Sequence, residues 1–381
     1  MRIGLNGIPL LSPLTGIGHY TRSLALELQS LGDDRVRMFY GRGWSSDVRS
    51  IPVDNIVGAK AAVKRWIPRA YEVSRAIQQV GFSASVYREK LDVFHETTGF
   101  AFRFDGPTVT TIHDLAWRRF PSTHPRERVA AYERWIGNTV RRSAQFVTVS
   151  SAIKQEVVDI LGVEPEKITT IPEAPRNAFH PRTQMQCQDA LCKLSLAYRG
   201  FLLCVGTLEP RKNVNAAIAA FGKLPCTERK RWPLVLVGMR GWLTTSTEDQ
   251  LASLVQSGSV RVLGYVDDDD LACLCAAARM LIYPSLYEGF GLPPLEAMAS
   301  GTPVISSNAS SLPEVVGEAG IQVDPHDVDA LHEGIRRLTE DDALWDALRS
   351  KGLARAARFS WRRCAQETLA VYQQVLGEAA A

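Results

Sequence analysis

Between Met280 and Gly301 the chain reads MLIYPSLYEGFGLPPLEAMASG, a stretch that leaves little choice of local structure. The apolar run Met280–Tyr283 is of the kind that forms a strand buried in a parallel sheet. Pro293 and Pro294 stand where a helix opens and Gly301 where it closes, so the order is strand, loop, helix. Glu288-Gly289-Phe290-Gly291 fills the loop, and its glycines let the backbone approach a ligand and turn N–H groups toward it. Glu296 follows Glu288 by eight positions. It is expected in the first helical turn, where N–H groups and the positive dipole end favour an anion such as phosphate. A carboxylate there can accept from two adjacent sugar hydroxyls. One loop thus offers acceptors for hydroxyls and donors for phosphate, the two needs of a sugar nucleotide.

The same grammar recurs elsewhere. Phe201–Val205 is a short apolar strand, followed by the tight loop Gly206-Thr207-Leu208-Glu209-Pro210, and Arg211-Lys212-Asn213 is expected to open a helix. Two cations at a helix start oppose the dipole unless an anion binds there, and an arginine fork beside a lysine point charge suits a diphosphate. At the N-terminus MRIGLNG alternates as a strand, and Gly16 and Gly18 precede a helix expected to start near His19 or Tyr20 and stop at Gly32. His95 and His113 follow the apolar segments DVF and TVTTI, at strand ends where an α/β sheet presents its chemistry. Asp267–Asp270 reads as a capped helix start rather than a metal site. Strands alternating with helices in two runs imply two doubly wound α/β halves.

Length agrees, since 381 residues are more than one core usually holds. The expected division is 1–185, 186–358 and a C-terminal segment 359–381, with a linker in 182–198 that shows no strand pattern. No apolar run approaches the roughly 18 residues of a membrane span. MRIGLNGIPLL reads as a first strand and not as a signal peptide. Seven cysteines, odd in number and without zinc-type pairing, fit reduced thiols in a cytoplasm. Net charge is +3, but unevenly spread: 25 basic against 18 acidic residues up to residue 185, and 19 against 23 beyond it. A basic first half suits an anionic partner such as a membrane surface. Within it, Lys60, Lys64, Arg65, Arg69 and Arg75 interleave with Val63, Trp66, Ile67, Tyr71 and Ile77, a pattern able to lie on an anionic bilayer, although Pro68 interrupts the helix.

The Glu288-to-Glu296 spacing within YEGFGLPPLEAMASGTPV strongly resembles the retaining glycosyltransferases of family four, which have the GT-B fold. The resemblance spans nearly the whole chain, with its specific motifs in the second half. It implies two Rossmann-like domains facing a cleft, and a C-terminal helix crossing back onto the first. It assigns Arg211 and Lys212 to the leaving diphosphate, in place of an obligatory metal, so no cofactor is expected. Glu288 with the amides of Gly289, Phe290 and Gly291 would hold hydroxyls of the transferred sugar, Leu292 N–H would face phosphate, and Glu296 would accept from the ribose. His113 would steady the sugar, while His95 would face the acceptor. Gly16, Gly18, Gly206 and Thr207 would line the donor, and Gly264 with Tyr265 the base; Thr207 stands where the family often has arginine. The segments NGIPLLSPLTGIGHYTRSL and GTLEPRKN look like those of bacterial mannosyl- and rhamnosyltransferases that build O-antigen from GDP-sugars. The partners implied are a GDP-sugar donor and a lipid-linked glycan at the inner face of the cytoplasmic membrane, with no nucleic acid. UDP- or ADP-sugar donors, a sugar phosphorylase or sucrose-type synthase, and a non-catalytic nucleotide-sugar-binding subunit are the alternatives.

Overall fold

The computed structural model describes residues 1–12, 14–32, 35–49, 70–239 and 245–380, and its strands form two sheets. The first comprises β1 (Ile3–Asn6), β2 (Val36–Phe39), β3 (Trp44–Ser45), β4 (Val93–Glu96), β5 (Thr108–Ile112), β6 (Gln145–Thr148) and β7 (Ile168–Thr170), in the order β3-β2-β1-β4-β5-β6-β7. All neighbours pair in parallel except β2 and β3. The second comprises β8 (Leu202–Val205), β9 (Leu234–Val237), β10 (Val260–Gly264), β11 (Met280–Tyr283), β12 (Val304–Ser307) and β13 (Ile321–Val323), in the wholly parallel order β10-β9-β8-β11-β12-β13. These strands read as continuous apolar runs because parallel sheets are covered on both faces. Each order reverses direction once, between β1 and β4 and between β8 and β11. Beyond the carboxyl ends of such a reversal the flanking loops part and leave room for a ligand.

The chain divides into one unit of Met1–Glu173 with Ser360–Ala381 and another of Ala174–Phe359. The boundary therefore falls before residue 185, and the expected linker is largely helix. Gln184–Lys193 is opened by a capping box between Thr183 and Gln186, and it packs on the helix Asp268–Ala277 of the second unit. That packing draws residues 174–185 into the second unit. Phe359, expected in the terminal segment, belongs there too. The last helix, Trp361–Ala380, packs in the first unit on the helix Gly16–Ser30, as the resemblance implied.

Phe39, Phe82, Phe94 and Phe102 are fully buried in the first unit, with centroid separations of 5.2 Å for Phe39–Phe82 and 5.0 Å for Phe82–Phe102. Each such side chain contributes about 1.5–3 kcal/mol by leaving water. Arg75 joins this cluster. Its guanidinium lies 3.5 Å from the Phe102 ring centroid and donates to the Phe100 carbonyl, so it is not a membrane-facing charge. Lys60, Lys64, Arg65 and Arg69 lie outside the described residues.

Candidate active site

Two loops flanking the β8/β11 reversal bring the second unit's charged residues together. Lys212 and Arg211 come from the loop after β8, and Glu288 from the loop after β11. The Lys212 ammonium donates to both Glu288 oxygens, at 2.6 and 2.8 Å, and to the Tyr283 hydroxyl at 3.1 Å. The Tyr283 hydroxyl in turn donates a hydrogen bond to Glu288 Oε1 at 2.8 Å. Arg211 donates to the Tyr287 carbonyl at 2.9 Å and to Glu209 at 2.8 Å, and its Nη1 lies 3.4 Å from Glu288. Burial alone would raise the Glu288 pKa, but the charges of Lys212 and Arg211 and the Lys212 hydrogen bonds outweigh it and hold the carboxyl at about 2. Tyr283 goes the other way, pushed well above its usual value by burial and by the Glu288 charge.

The backbone fixes this arrangement. Gly206, at the end of β8, has φ +147° and faces Gly238, at the end of β9, with φ +146°. A Cβ on Gly238 would stand 2.1 Å from the Gly206 carbonyl oxygen, so the two loops approach this closely only because residue 238 is glycine. A Cβ on Gly206 would meet the Lys212 aliphatic stem at 3.6 Å, which places that stem directly over the glycine. Arg211 and Lys212 do not open a helix. Pro210–Lys212 is one turn of 3-10 helix, Asn213 takes a left-handed conformation, and the helix proper begins at Val214. The Asn213 amide then ties the loop down, donating to the carbonyls of Pro284 at 3.0 Å and Pro325 at 2.7 Å, and Leu286 N–H donates to the Arg211 carbonyl at 2.9 Å. Ser310 donates to the Glu288 carbonyl at 2.7 Å, clasping the loop from its other side.

Glu296 lies in the second turn of Leu292–Ala299, not the first, because the helix begins at Leu292 with Gly291 as its cap. Its carboxylate is bound by a residue the sequence did not single out. Arg176 donates through Nε at 2.5 Å and through Nη2 at 2.9 Å, one to each Glu296 oxygen, and through Nη1 to Asp268 at 2.6 Å. Burial raises the Glu296 pKa while the Arg176 contacts oppose the rise. Asp267 caps the helix Asp268–Ala277 by accepting from the Asp270 N–H, so the acidic run is a helix start, as its sequence suggests. Gly264, with φ +71°, ends β10, and the Tyr265 ring after it is exposed.

In the first unit His113 follows β5. Its Nδ1 lies 3.2 Å from Glu173 Oε1 and its Nε2 lies 3.0 Å from the Thr97 carbonyl. A sugar hydroxyl meeting the ring would displace one of these partners, or would meet the His113 backbone instead. Tyr20 packs edge-on to the His113 ring at 4.7 Å. His95 does not face a ligand. It is fully buried, with Nδ1 2.6 Å from the Tyr372 hydroxyl and Nε2 2.7 Å from Thr111 Oγ1, and burial, aided by His113, lowers its pKa to about 3. It therefore ties β4 to β5 and to the last helix. Gly16 and Gly18 lie inside the first helix, which begins at Gly16, rather than in a loop before it. A Cβ on Gly18 would crowd Leu14 at 2.9 Å, whereas at Gly16 it would meet nothing within 4 Å.

Residues 197–355 match the family described as glycosyl transferases group 1, and residues 14–174 match glycosyltransferase family 4. The chain is 36% identical over 378 residues to the O-antigen chain mannosyltransferase B of Escherichia coli, covering 96% of this chain and 97% of that one. It is 31% identical, over the full length of both, to the MMP alpha-(1->4)-mannosyltransferase of Mycolicibacterium hassiacum. Among solved structures it superposes on the sucrose-phosphate synthase of Thermosynechococcus elongatus with a TM-score of 0.75 at 22% identity, over all of both chains. It also superposes on WaaG, a glycosyltransferase involved in lipopolysaccharide biosynthesis, with a TM-score of 0.73 at 17% identity, over 97% of this chain and 99% of that one.

Proposed function

The chain belongs to the family-4 glycosyltransferases of the GT-B fold, and on that premise we propose that it transfers a hexosyl group, mannose or a D-rhamnose type, from a GDP-sugar to a hydroxyl of a lipid-linked glycan in O-antigen or related surface polysaccharide synthesis. The reading rests above all on Lys212, Arg211 and Glu288 meeting at the β8/β11 reversal. Its sugar assignment draws on the mannosyltransferase at 36% identity.

The donor diphosphate binds against Arg211 and Lys212. In the structure Glu209 and Glu288 pair with these cations, so a diphosphate binds by competing with those carboxylates for them. As the glycosidic bond breaks, charge develops on the leaving phosphate, where preorganised cations lower the barrier without an obligatory metal. Glu288 and the amides of Gly289, Phe290 and Gly291 hold sugar hydroxyls, and Leu292 N–H faces the phosphate. Glu296 accepts from the ribose, Tyr265 lies at the base, and His113 steadies the sugar. Anomeric configuration is retained by reaction on one face of the sugar, with the leaving phosphate helping to deprotonate the acceptor.

Peripheral attachment to the inner face of the cytoplasmic membrane belongs to this reading. On the helix Ala70–Glu89, Val73, Ile77, Val80 and Tyr87 recur at helical spacing and are 47–76% exposed, a stripe that suits shallow insertion. Among the described residues no helix is long and apolar enough to cross a membrane.

The test is transfer from GDP-mannose and GDP-D-rhamnose to a lipid-diphosphate primer, with the product linkage read by NMR. An α-linked product without added metal is expected. Turnover only with a UDP- or ADP-sugar would overturn the donor, and none with any sugar nucleotide would point to a non-catalytic subunit.

A further inference from the structure

The Arg176–Glu296 contact bears on how a nucleotide is read, given the reading that Glu296 receives the ribose. Arg176 stands three residues past the end of the first unit at Glu173, in the segment between β7 and the helix Gln184–Lys193. Its guanidinium spans the two Glu296 oxygens, at 2.5 and 2.9 Å, and so covers the edge of the carboxylate that a pair of adjacent hydroxyls would use. Its backbone N–H hydrogen-bonds to the same carboxylate. An ionised carboxylate has about four acceptor positions, and Arg176 fills roughly three of them. The guanidinium is itself held from behind by Asp268, at 2.6 Å from Nη1, and from one face by the Phe179 ring, whose centroid is 4.4 Å away. Arg176 and Glu296 are both largely buried, with side-chain exposures of 15% and 4%. A fork held on three sides does not swing away to admit a ligand.

We propose that Arg176 is a specificity-determining residue for the donor nucleotide: by occupying the shared edge of Glu296 it leaves that carboxylate one acceptor position, so the enzyme reads a single ribose hydroxyl rather than the vicinal 2′,3′ pair. Arg176 acts through Glu296, as a positioning residue.

The experiment is a calorimetric titration of the full chain with GDP, 2′-deoxy-GDP and 3′-deoxy-GDP. The uridine series is run in parallel, so that a wrong base is not mistaken for a wrong carboxylate. Losing a hydrogen bond to a charged group weakens binding roughly tenfold or more. One deoxy analogue is expected to lose about that much, while the other stays within roughly twofold of the parent. In Arg176→Gln the shared edge is freed and both hydroxyls should count. Equal losses for both analogues in the wild-type chain would show the diol displacing Arg176 and would overturn the proposal while leaving Glu296 as the ribose acceptor. Parent affinity for both analogues would remove Glu296 from the ribose and defeat the underlying reading as well. The wild-type series decides the matter even if Arg176→Gln fails to fold, and Arg176→Lys, which keeps the charge without the fork, serves as the second variant.

Discussion

The ammonium of Lys212 sits 2.6 Å from one carboxylate oxygen of Glu288 and 2.8 Å from the other, across two loops that are 76 residues apart in sequence. The contact helps to hold the buried Glu288 carboxyl ionised. It also places an ion pair where the sheet order opens a ligand site.

Replacing Lys212 with Ala should lower turnover at least tenfold. It should also cost about 2 kcal/mol of stability, because the buried Glu288 carboxylate loses its two closest charged contacts and keeps Arg211 at 3.4 Å and the Tyr283 hydroxyl. The pair Lys212→Met with Glu288→Gln should recover much of the stability and none of the activity. Initial rates and urea midpoints separate the two effects; a near-normal rate in Lys212→Ala would remove the lysine from the chemistry.

Glu296→Ala should cut turnover at least tenfold and weaken nucleoside diphosphate binding by a similar factor, since a hydrogen bond to a charged acceptor is lost and the Arg176 guanidinium is left unpaired on that side. Binding calorimetry reads the affinity directly. Unchanged affinity would mean that the ribose lies elsewhere.

Glu288 predicts an acid limb in the stability profile. Its carboxyl falls from 4.5 to about 2 in the folded chain, a linkage of about 3 kcal/mol. A depressed carboxyl contributes stability that is present above its unfolded value and lost as pH falls toward its folded one. Urea midpoints of the wild type should therefore drop more steeply than those of Glu288→Gln from pH 4.5 downward. Parallel profiles would contradict the assignment.

His95 acts in a separate window. Burial, with His113, lowers its folded value from 6.5 to about 3, so the unfolded chain takes up its proton first. Its contribution is complete above pH 6.5 and shrinks as pH falls toward 3. The variant His95→Gln should show a flatter stability profile between pH 6.5 and 5, at some cost in absolute stability from the lost Tyr372 and Thr111 contacts. A slope equal to that of the wild type would mean that another group carries it.

Much of this was legible in the chain because the signals are local. The run Met280–Tyr283, the glycines around Phe290 and the prolines before Leu295 specify strand, loop and helix without help from elsewhere, and the structure forms all three. Position inside an element was harder to read. Glu296 moved from the first turn to the second, and Gly16 and Gly18 moved into their helix, because helix starts are weakly marked where glycine or proline fills the first turn. The helix Gln184–Lys193 had a readable signal in Thr183 and Gln186, but its buried face of Cys187, Ala190 and Leu191 is too slight for a clear apolar period. Arg176 and Glu173 could not be read at all, since their partners Glu296 and His113 lie 120 and 60 residues away. His95 looked like His113 because both end strands; only packing shows one sealed between Tyr372 and Thr111.

The most direct test of the central claim, that the loops after β8 and β11 bind a nucleoside diphosphate, is a thermal-shift titration with GDP, UDP and ADP, with and without EDTA. A ligand that binds only the folded chain adds about 2.7 kcal/mol at a hundredfold excess over its dissociation constant, enough to rank the three. The account predicts the largest shift with GDP, unchanged by EDTA and abolished in Lys212→Ala. No shift with any of the three would contradict it.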